Sequence, residues 1–451
     1  MKQTVILSKY EEKKFLGILE ENQLAELTFL QEDENDILGN IYIGKVKNIV
    51  QNLNAAFVEV KKGVLCFLSL KDNPEPFFTN SKKNNKLVEG DEILVQVSQM
   101  DVKTKNPMCT SKISIAGKYA AFTYQKSGIG ISSKLPKDGK VKELRALAEK
   151  YLEDYYSIVL RTNSYYAEIL EVERELVQLK EELEEVLKKA KTRSVYSLLR
   201  KDDSEVLKSI KALRETDEIE IVTDLKEYYD EIQTFVGKNQ KNKEKTEQNA
   251  DSIERIEPNT KCNTEKIGEN TNCNDKRNLW TSENVENAGS MSLKYYEDEN
   301  LSLVALYSLN SKIGNALKKR VWLKSGAYLV IEQTEAMVVI DVNTGKALNK
   351  KKREEHFYQV NVEAAMEIAR QLRLRNLSGI IIVDFIDMES QENTNKLLKV
   401  FEEALNKDRI KTTLVDITKL HLVEVTRKKT KKSLLEQYYG NWQLESSEGT
   451  N

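Results

Sequence analysis

Along the first 37 residues, apolar and polar positions alternate in short runs, TVILS, FLGILE and LAELTFL, and a period of two predicts strands. From about 38 to 117 the runs stay short and are punctuated by glycine. IYIGKVKNIV, AAFVEV, GVLCFLSL and DEILVQVSQM follow one another closely, which predicts a small β-barrel. Residues 118–200 change period. A Gly-rich loop, a short helix and the strand SIVLRT lead into a long charged helix, Ala167 to Lys191. It carries Ile169, Val172, Leu176, Leu179 and Leu183 at spacings of three and four, a stripe that reads as core-facing rather than as a coiled-coil seam. Between 237 and 292, large apolar residues become scarce among Asn, Lys, Glu, Thr and Ser. Such a composition cannot bury a core and predicts a low-complexity insert. From 301 the pattern tightens again. A helix is expected over Leu301 to Leu317, strands over 328–331, 338–341, 380–384 and 412–416, and helices over 360–376 and 393–406. Strands alternating with helices predict an α/β domain. The polar tail, 440–451, is expected to fray.

Composition narrows this picture. At roughly 100–200 residues per domain, 451 residues imply two to four domains. Seventy Lys and Arg against 72 Asp and Glu leave a net charge of -2, so any nucleic-acid site has to come from local clusters of cations. No secretory signal and no apolar run long enough to span a membrane is found, and the widely spaced Cys66, Cys109, Cys262 and Cys273 form no disulfide framework. Both features predict a reducing, cytoplasmic setting. Cys262 and Cys273 lie in the polar stretch with no neighbouring His or CxxC spacing, so a metal role for them is not expected. With only His356 and His421 present, a nuclease using two histidines as acid and base is disfavoured, and hydrolysis would rest on carboxylates and a metal.

Two segments carry that chemistry, GAYLVIEQTEAMVVIDVNTGK (326–346) and GIIIVDFIDME (379–389). In each, an aliphatic run ends at an Asp: Val338, Val339 and Ile340 before Asp341, and Ile380 to Val383 before Asp384. A buried strand ending in a carboxylate delivers it to the sheet edge, where it escapes full burial. Two such strands side by side would bring Asp341 and Asp384 within reach of one cation. Magnesium accepts one or two carboxylates plus a substrate phosphate. Asn343, two residues past Asp341, points to the same side of an extended chain. Asp387 and Glu335 are further acidic candidates. The competing reading is that each Asp merely caps the helix that follows.

At these residues the sequence becomes specific. EQTEAMVVIDVNTG, VNVEAAMEIARQLRLRNLSG and IIIVDFIDM resemble the catalytic core of the ribonuclease E/G family, and LVEVTRKKTKKSL (422–434), read as a helix, resembles the segment after that core. The resemblance covers nearly the whole chain outside 237–292 and the last few residues. It implies a hydrolytic endoribonuclease acting on single-stranded, often AU-rich RNA, with metal-binding Asp341 and Asp384 and catalytic Asn343. The fold it implies is an α+β multidomain one. A ribonuclease-H-like domain (1–37 and 201–236) would be interrupted by an OB-fold β-barrel (38–117) and a 5′-sensor region (118–200). The 237–292 insert would follow, then a DNase-I-like α/β catalytic domain (301–425), then a basic helix and tail (426–451).

The resemblance also assigns further residues. GNIYIGKVKNIVQNLNAAFVEV and CFLSL are similar to the family's OB module, so Phe57 and Phe67 are expected on the barrel face, where an aromatic stacks on an unpaired base. For either Phe alone, core packing would be the simpler reading. Lys45, Lys47 and Lys112 are phosphate candidates. GIGISSKL (128–135) and SIVLRT (157–162) resemble a pocket for a 5′-monophosphate, with Gly130, Arg161 and Thr162 supplying backbone amides, a forked guanidinium and a hydroxyl. A further Arg expected on the catalytic side stands here as Lys411, which keeps the charge and loses the fork, predicting weaker discrimination between 5′ ends. The basic groups Lys346, Lys350, Lys351, Lys352, Arg353 and Arg427, Lys428, Lys429, Lys431, Lys432 are expected to form a track for the RNA backbone.

Many members of the family carry a Cys-x-x-Cys zinc link after the last basic segment. None stands between Ser433 and Asn451, so no zinc link is expected, and a homodimer or higher oligomer would need another surface. The rival readings are a non-catalytic RNA-binding protein on ribosomal or messenger RNA, and a ribosome-associated factor whose nuclease activity is confined to precursor rRNA.

Overall fold

The structure, a computed structural model, describes residues 2–30, 37–80, 86–99, 106–124, 127–213, 218–237, 291–344 and 353–440, with 285–288 as backbone. Cys262, Cys273, Lys346, Lys350, Lys351, Lys352, most of the expected insert and the tail after Gly440 lie outside the described residues. The chain divides into two units, one of Met1–Gln31 with Asp217–Asn451, the other of Glu32–Thr216.

The first unit opens with an antiparallel meander, β1 (Lys2–Tyr10), β2 (Lys13–Glu20) and β3 (Gln23–Phe29). Glu21 and Asn22, both at positive φ, turn β2 into β3, the conformation that matches the twist of a two-residue hairpin.

The second unit begins with β4 (Ile41–Val50), β5 (Ala55–Lys61), β6 (Val64–Ser69), β7 (Glu92–Gln99) and β8 (Met108–Thr110). They run in the order β4-β5-β6-β8-β7, and β7 pairs back onto β4, closing a five-stranded, OB-like barrel. Val46, Val58, Leu68, Ile93, Val95 and Val97 fill it. A Cβ at Gly44 would lie 2.4 Å from Val58 Cγ1, so glycine there allows the strands their close approach. Beyond the barrel, β9 (Ile113–Ala116), β10 (Ala120–Tyr124), β11 (Gly128–Ile131) and, after α1 (Gly139–Glu149), β12 (Tyr156–Leu160) form a sheet in the order β11-β12-β10-β9. The expected Gly-rich loop is thus partly a strand: GIGI pairs parallel with β12 because Ile129 and Ile131 pack on the core. The long helix α2 (Ile169–Ala190) buries Val172, Leu176, Leu179 and Leu183 in that core. β13 (Leu198–Arg200) adds to β4. α3 (Glu205–Lys211) closes the second unit, although 201–236 had been expected to rejoin the N-terminal strands as one block.

That return begins at β14 (Glu218–Thr223), which runs parallel to β1. After the helix α4 (226–237) come β15 (Val285–Ala288) and β16 (Met291–Tyr295), the latter parallel to β14, giving a sheet ordered β15-β16-β14-β1-β2-β3. The single helix expected over 301–317 is two, α5 (Leu303–Leu306) and α6 (Leu309–Ala316), broken at Ser308 with φ 53°. Leu303, Leu309 and Ile313 pack with Ile6, Phe15 and Leu27. This stretch therefore belongs to the core of the first sheet and not to the layer that follows.

That layer consists of β17 (Arg320–Trp322), β18 (Tyr328–Gln333), β19 (Met337–Asn343), α7 (Arg353–Leu374), β20 (Gly379–Asp384), α8 (Gln391–Leu405), β21 (Thr412–Ile417) and β22 (Val423–Arg427). Its sheet is ordered β17-β18-β19-β20-β22-β21, with β19 and β20 parallel across α7. One face is packed: Leu329, Ile331, Val338, Ile340, Ile381 and Val383 meet Ala365, Ile368, Leu372 and Phe401 of the helices. The alternate residues, among them Val339 and Ile380, are exposed on the other face. The segment 422–434, expected as a helix, is β22 followed by a loop and the short helix α9 (Leu434–Tyr439). VEVTR obeys a period of two, with Val423, Val425 and Arg427 buried and Thr426 exposed. No helix among the described residues is long and apolar enough to cross a membrane.

Candidate active site

Asp341 and Asp384 are direct register partners in the parallel pair β19–β20, where neighbouring strands lie about 4.8 Å apart. Both side chains are exposed, and Asn343 Nδ2 donates to Asp341 Oδ2 at 2.7 Å. The three residues expected to act together are thus on one surface. The route differs in one respect from the expectation. β19 does not end at Asp341 but runs on to Asn343 with alternating burial, so the strand presents Asp341 on the open face of the sheet rather than at its edge. Nor does Asp384 cap a helix: the N-cap of α8 is Ser390, whose side chain accepts from Asn393 N–H at 3.3 Å.

Burial, then the charges of Asp341 and Asp387, hold the Asp384 carboxyl above the usual carboxylate range. Asp387 is therefore part of the local field. Glu335 is not, because it sits in the turn between β18 and β19, six residues before Asp341 and roughly 20 Å away at about 3.3 Å per residue. The donors facing the open side are oxygens whose charges repel one another, a set that fits a hard divalent cation better than a softer metal. Among the described residues no group of three or more His, Cys, Asp or Glu is gathered as a metal site. Any ion held here would rest on the Asp pair, with water and phosphate completing its shell.

Asn361, which sequence reasoning passed over, pins the segment after Asp384. It is fully buried in α7; its Nδ2 donates to Ile386 O at 2.8 Å, and its Oδ1 accepts from Ile386 N–H at 3.0 Å. Glu354, in the first turn of α7, accepts from Glu389 N–H at 3.0 Å and Ser390 N–H at 3.1 Å. An Asn inside a helical stripe was the only available signal, and it reads equally well as a surface position.

The second basic group changes its reading. Arg427 is only 4% exposed and donates to Asp408 Oδ2 at 2.7 Å and to Asn376 Oδ1 at 2.8 Å. It is a structural ion pair inside the fold. Lys428, Lys429, Lys431 and Lys432 are exposed, and the backbone of Lys428 pairs with that of Lys411 at 3.0 Å. They do not lie beside the carboxylates. Arg427 faces Gly379, the opposite end of β20 from Asp384, about 17 Å away along the strand. At the carboxylate end stand instead the exposed Lys419 and His421 of the β21–β22 loop. Arg353, the described member of the first basic group, lies over the Phe357 ring at 5.1 Å.

In the second unit, Phe57 and Phe67 are direct cross-strand partners with ring centroids 6.0 Å apart, half-buried, and on the outer face of the barrel, since Ala56, Val58, Cys66 and Leu68 point inward. Met108 pairs with Phe67 and extends the row onto β8. Lys112 is exposed and Lys45 partly so. Lys47 is tied to Glu59 at 2.9 Å. Hydrogen bonds from Tyr196, Gly63 N–H and Lys47 lower the Glu59 carboxyl to about 2, so Lys47 serves an internal pair.

Gly130 lies in β11 opposite Val159, and a Cβ there would stand 3.3 Å from Val159 Cγ2. Its role is strand packing rather than a loop of free amides. Just beyond, where β11 and β12 both end, Ser132 Oγ meets Thr162 Oγ1 at 3.1 Å, which adds Ser132 to the residues the sequence points to. The Arg161 guanidinium donates to Gly117 O, and burial lowers its pKa against the opposing pull of Glu175. Glu175 itself accepts from the N–H groups of Lys118, Tyr119 and Ala120 at 2.7–2.8 Å. Lys411 belongs to the other unit.

Comparison with known proteins gives the class first, a ribonuclease. The family model described as Ribonuclease E/G family matches residues 114–267 and 261–430. Ribonuclease G of Haemophilus influenzae is 30% identical over 429 residues, covering 93% of this chain and 78% of that protein. Ribonuclease G of Escherichia coli is 28% identical over 422 residues, covering 91% and 76%. Ribonuclease E of Synechocystis sp. is 29% identical over 443 residues, covering 97% of this chain and 58% of that protein. The chain belongs to the ribonuclease E/G family and is an endoribonuclease.

Proposed function

We propose that this endoribonuclease hydrolyses single-stranded RNA in ribosomal RNA processing or messenger RNA decay, with magnesium held by Asp341 and Asp384. The observation that carries the reading is the register of Asp341 against Asp384 with Asn343 hydrogen-bonded beside them. A magnesium ion bound there would polarise a phosphoryl oxygen and lower the pKa of an attacking water. Asn343 gives one amide hydrogen to Asp341, fixing that carboxylate's orientation, and keeps its second for a phosphate oxygen of the substrate. Asn361 and Glu354 hold the backbone after Asp384, so the pair keeps its spacing when a substrate presses on it.

Supporting surfaces complete the reading. The row Phe57, Phe67 and Met108, with Lys45 and Lys112 nearby in sequence or strand, suits an unpaired strand whose bases stack on aromatics. Ser132, Arg161 and Thr162 suit a 5′-phosphate at the shared end of β11 and β12, with Gly130 keeping the two strands close. We read the first sheet as ribonuclease-H-like, on the ground that a meander is followed by two parallel strands on its β1 side. We read the last sheet as DNase-I-like. The buried free thiols Cys66 and Cys109 accord with work in a reducing cytoplasm.

The test is cleavage of a short AU-rich RNA with a 5′-monophosphate, in magnesium or in EDTA, by the wild type and Asp384→Asn. Cutting that needs both magnesium and Asp384 is expected. Cutting in EDTA would remove the metal from the mechanism, and binding without cutting by the wild type would favour a purely RNA-binding role.

A further inference from the structure

The open face that carries the carboxylates continues into an aromatic platform. Trp322 pairs with Tyr328 across β17–β18, and Tyr328 pairs with Asn343 across β18–β19. Cross-strand partners share a face of the sheet, so Trp322, Tyr328 and Asn343 form one row. In the next row, Arg320, Val330, Asp341 and Asp384 are partners in turn. The Trp322 and Tyr328 rings lie 5.2 Å apart, and the Arg320 guanidinium stands 4.6 Å from the Tyr328 centroid and 5.9 Å from that of Trp322. Trp322 is nevertheless 64% exposed. A tryptophan left this open, on a sheet whose opposite face carries the packed core, gives the fold little.

We propose that Arg320, Trp322 and Tyr328 form a base-stacking subsite for a nucleotide flanking the scissile phosphate, on the Asn343 side of the carboxylate pair. The subsite rests on the reading of Asp341 and Asp384 as the cleavage centre. RNA is the occupant because the platform runs without interruption into that centre and combines the two groups an unpaired nucleotide needs. Trp322 supplies an indole face that any base can stack on. Arg320 supplies a cation, already ordered by the rings, for the adjoining phosphate. Tyr328, half-covered by Arg320, holds the guanidinium in place. The platform is two strands from β19, about 10 Å, so a base seated on it fixes the strand's direction across Asp341 and Asp384. It is a specificity-determining and positioning element, since none of its groups reaches the reacting atoms.

The experiment uses the full chain with Trp280→Phe and Trp442→Phe, which leaves Trp322 as its one tryptophan, and Asp384→Asn to keep the RNA intact. Titration with single-stranded RNA should quench Trp322 fluorescence, and an oligonucleotide with one abasic position next to the cleavage site should bind without quenching. In the cleavage-competent chain, Trp322→Ala should raise KM roughly 5- to 150-fold while Trp322→Phe restores most of it. On the abasic substrate Trp322→Ala should have little further effect, because both changes remove the same contact. Wild-type cleavage with neither quenching nor a KM change would overturn the platform while leaving the cleavage centre standing. Loss of self-association in Trp322→Ala, with KM intact, would overturn it in favour of a contact between copies. A wild type that cuts no RNA would defeat the underlying reading and the platform with it.

Discussion

At the scale of single residues, the carboxylate pair sets function against stability. Partial burial first, and then the charges of Asp341, in register on the adjacent strand, and of Asp387, make Asp384 hold its proton more tightly than a free aspartate does. A carboxyl whose pKa is raised by folding binds more protons in the native state than in the unfolded one across that window. Stability contributed by this group therefore falls as pH rises through the window, and at neutral pH the native state carries the full repulsion. Asp384→Asn removes the charge and keeps the shape. We expect it to abolish cleavage, leave RNA affinity within about twofold, and leave the thermal midpoint at pH 7 unchanged or higher. A midpoint lowered by several degrees would mean that Asp384 supports the fold and that the lost activity says little about catalysis. Added magnesium should raise the midpoint of the wild type, because a ligand that binds only the native state stabilises it, and should do so far less in the Asn variant. Asp341, Asn343 and Asp384 were legible in the sequence because each interrupts or ends an apolar run where a polar residue must have a reason. Arg427 was misread, because a charged residue inside a basic run carries no mark of the buried Asp408 that pairs with it.

Between elements, α7 does for the site what no strand could. It crosses the packed face of the sheet between β19 and β20, and its Asn361 reaches past the end of β20 to bond both backbone groups of Ile386. The loop that follows Asp384 is thereby tied to a helix anchored by Ala364, Ala365 and Ile368. Asn361→Ala leaves the N–H and C=O of the half-buried Ile386 without their partner, at a cost of up to about 1–3 kcal/mol for each group that water does not reach. We expect a chain that still folds, with kcat reduced more than KM, because Asp384 and Asp387 would wander while the RNA-binding faces stay intact. Urea unfolding alongside steady-state cleavage measures both. A stability loss with kcat unchanged would reduce Asn361 to a structural tie. This element-level device could not be read from sequence, since the partner of Asn361 is a backbone pair 25 residues away. The same limit explains the other misplacements. VEVTR sits within a charged run that reads as helix, yet its alternation is the better guide. GIGI looked like a loop because glycine was weighed above the two isoleucines that pack it into a strand. The long helices α2, α7 and α8 are legible because their periodicity is local, whereas the break at Ser308, which splits the stretch 301–317 into α5 and α6, leaves no mark in the pattern.

For the molecule as a whole, the barrel and the later alternation of strands with helices are readable from pattern alone, whereas the parallel pairing of β19 with β20 and the grouping of distant segments are not. β14 returns to β1 from more than 200 residues away and β16 then adds to β14, and no local signal announces such pairings. Charge is the other property that belongs to the whole. With a net charge of -2, the chain offers RNA no general attraction, so the salt dependence of binding has to arise from a few local cations. Each phosphate contact contributes about 0.7 to the slope of log K against log salt for a single strand. Lys428 and Lys429 are exposed but sit at the far end of the sheet from Asp384. If they track the backbone, Lys428→Gln with Lys429→Gln should lower the slope by about 1.4 on a long RNA and leave a short substrate unaffected, because only the long strand reaches from the carboxylates to that end. Phe57→Ala should do the reverse, weakening binding at every salt concentration by about 1–3 kcal/mol with the slope unchanged, since stacking releases no counterions. Fluorescence anisotropy on RNAs of two lengths across a salt series separates these outcomes. A slope unmoved by the double Lys change would make that cluster a solvated face, and would shift the search for the strand's exit to Lys419 and His421, the basic residues at the carboxylate end of the sheet.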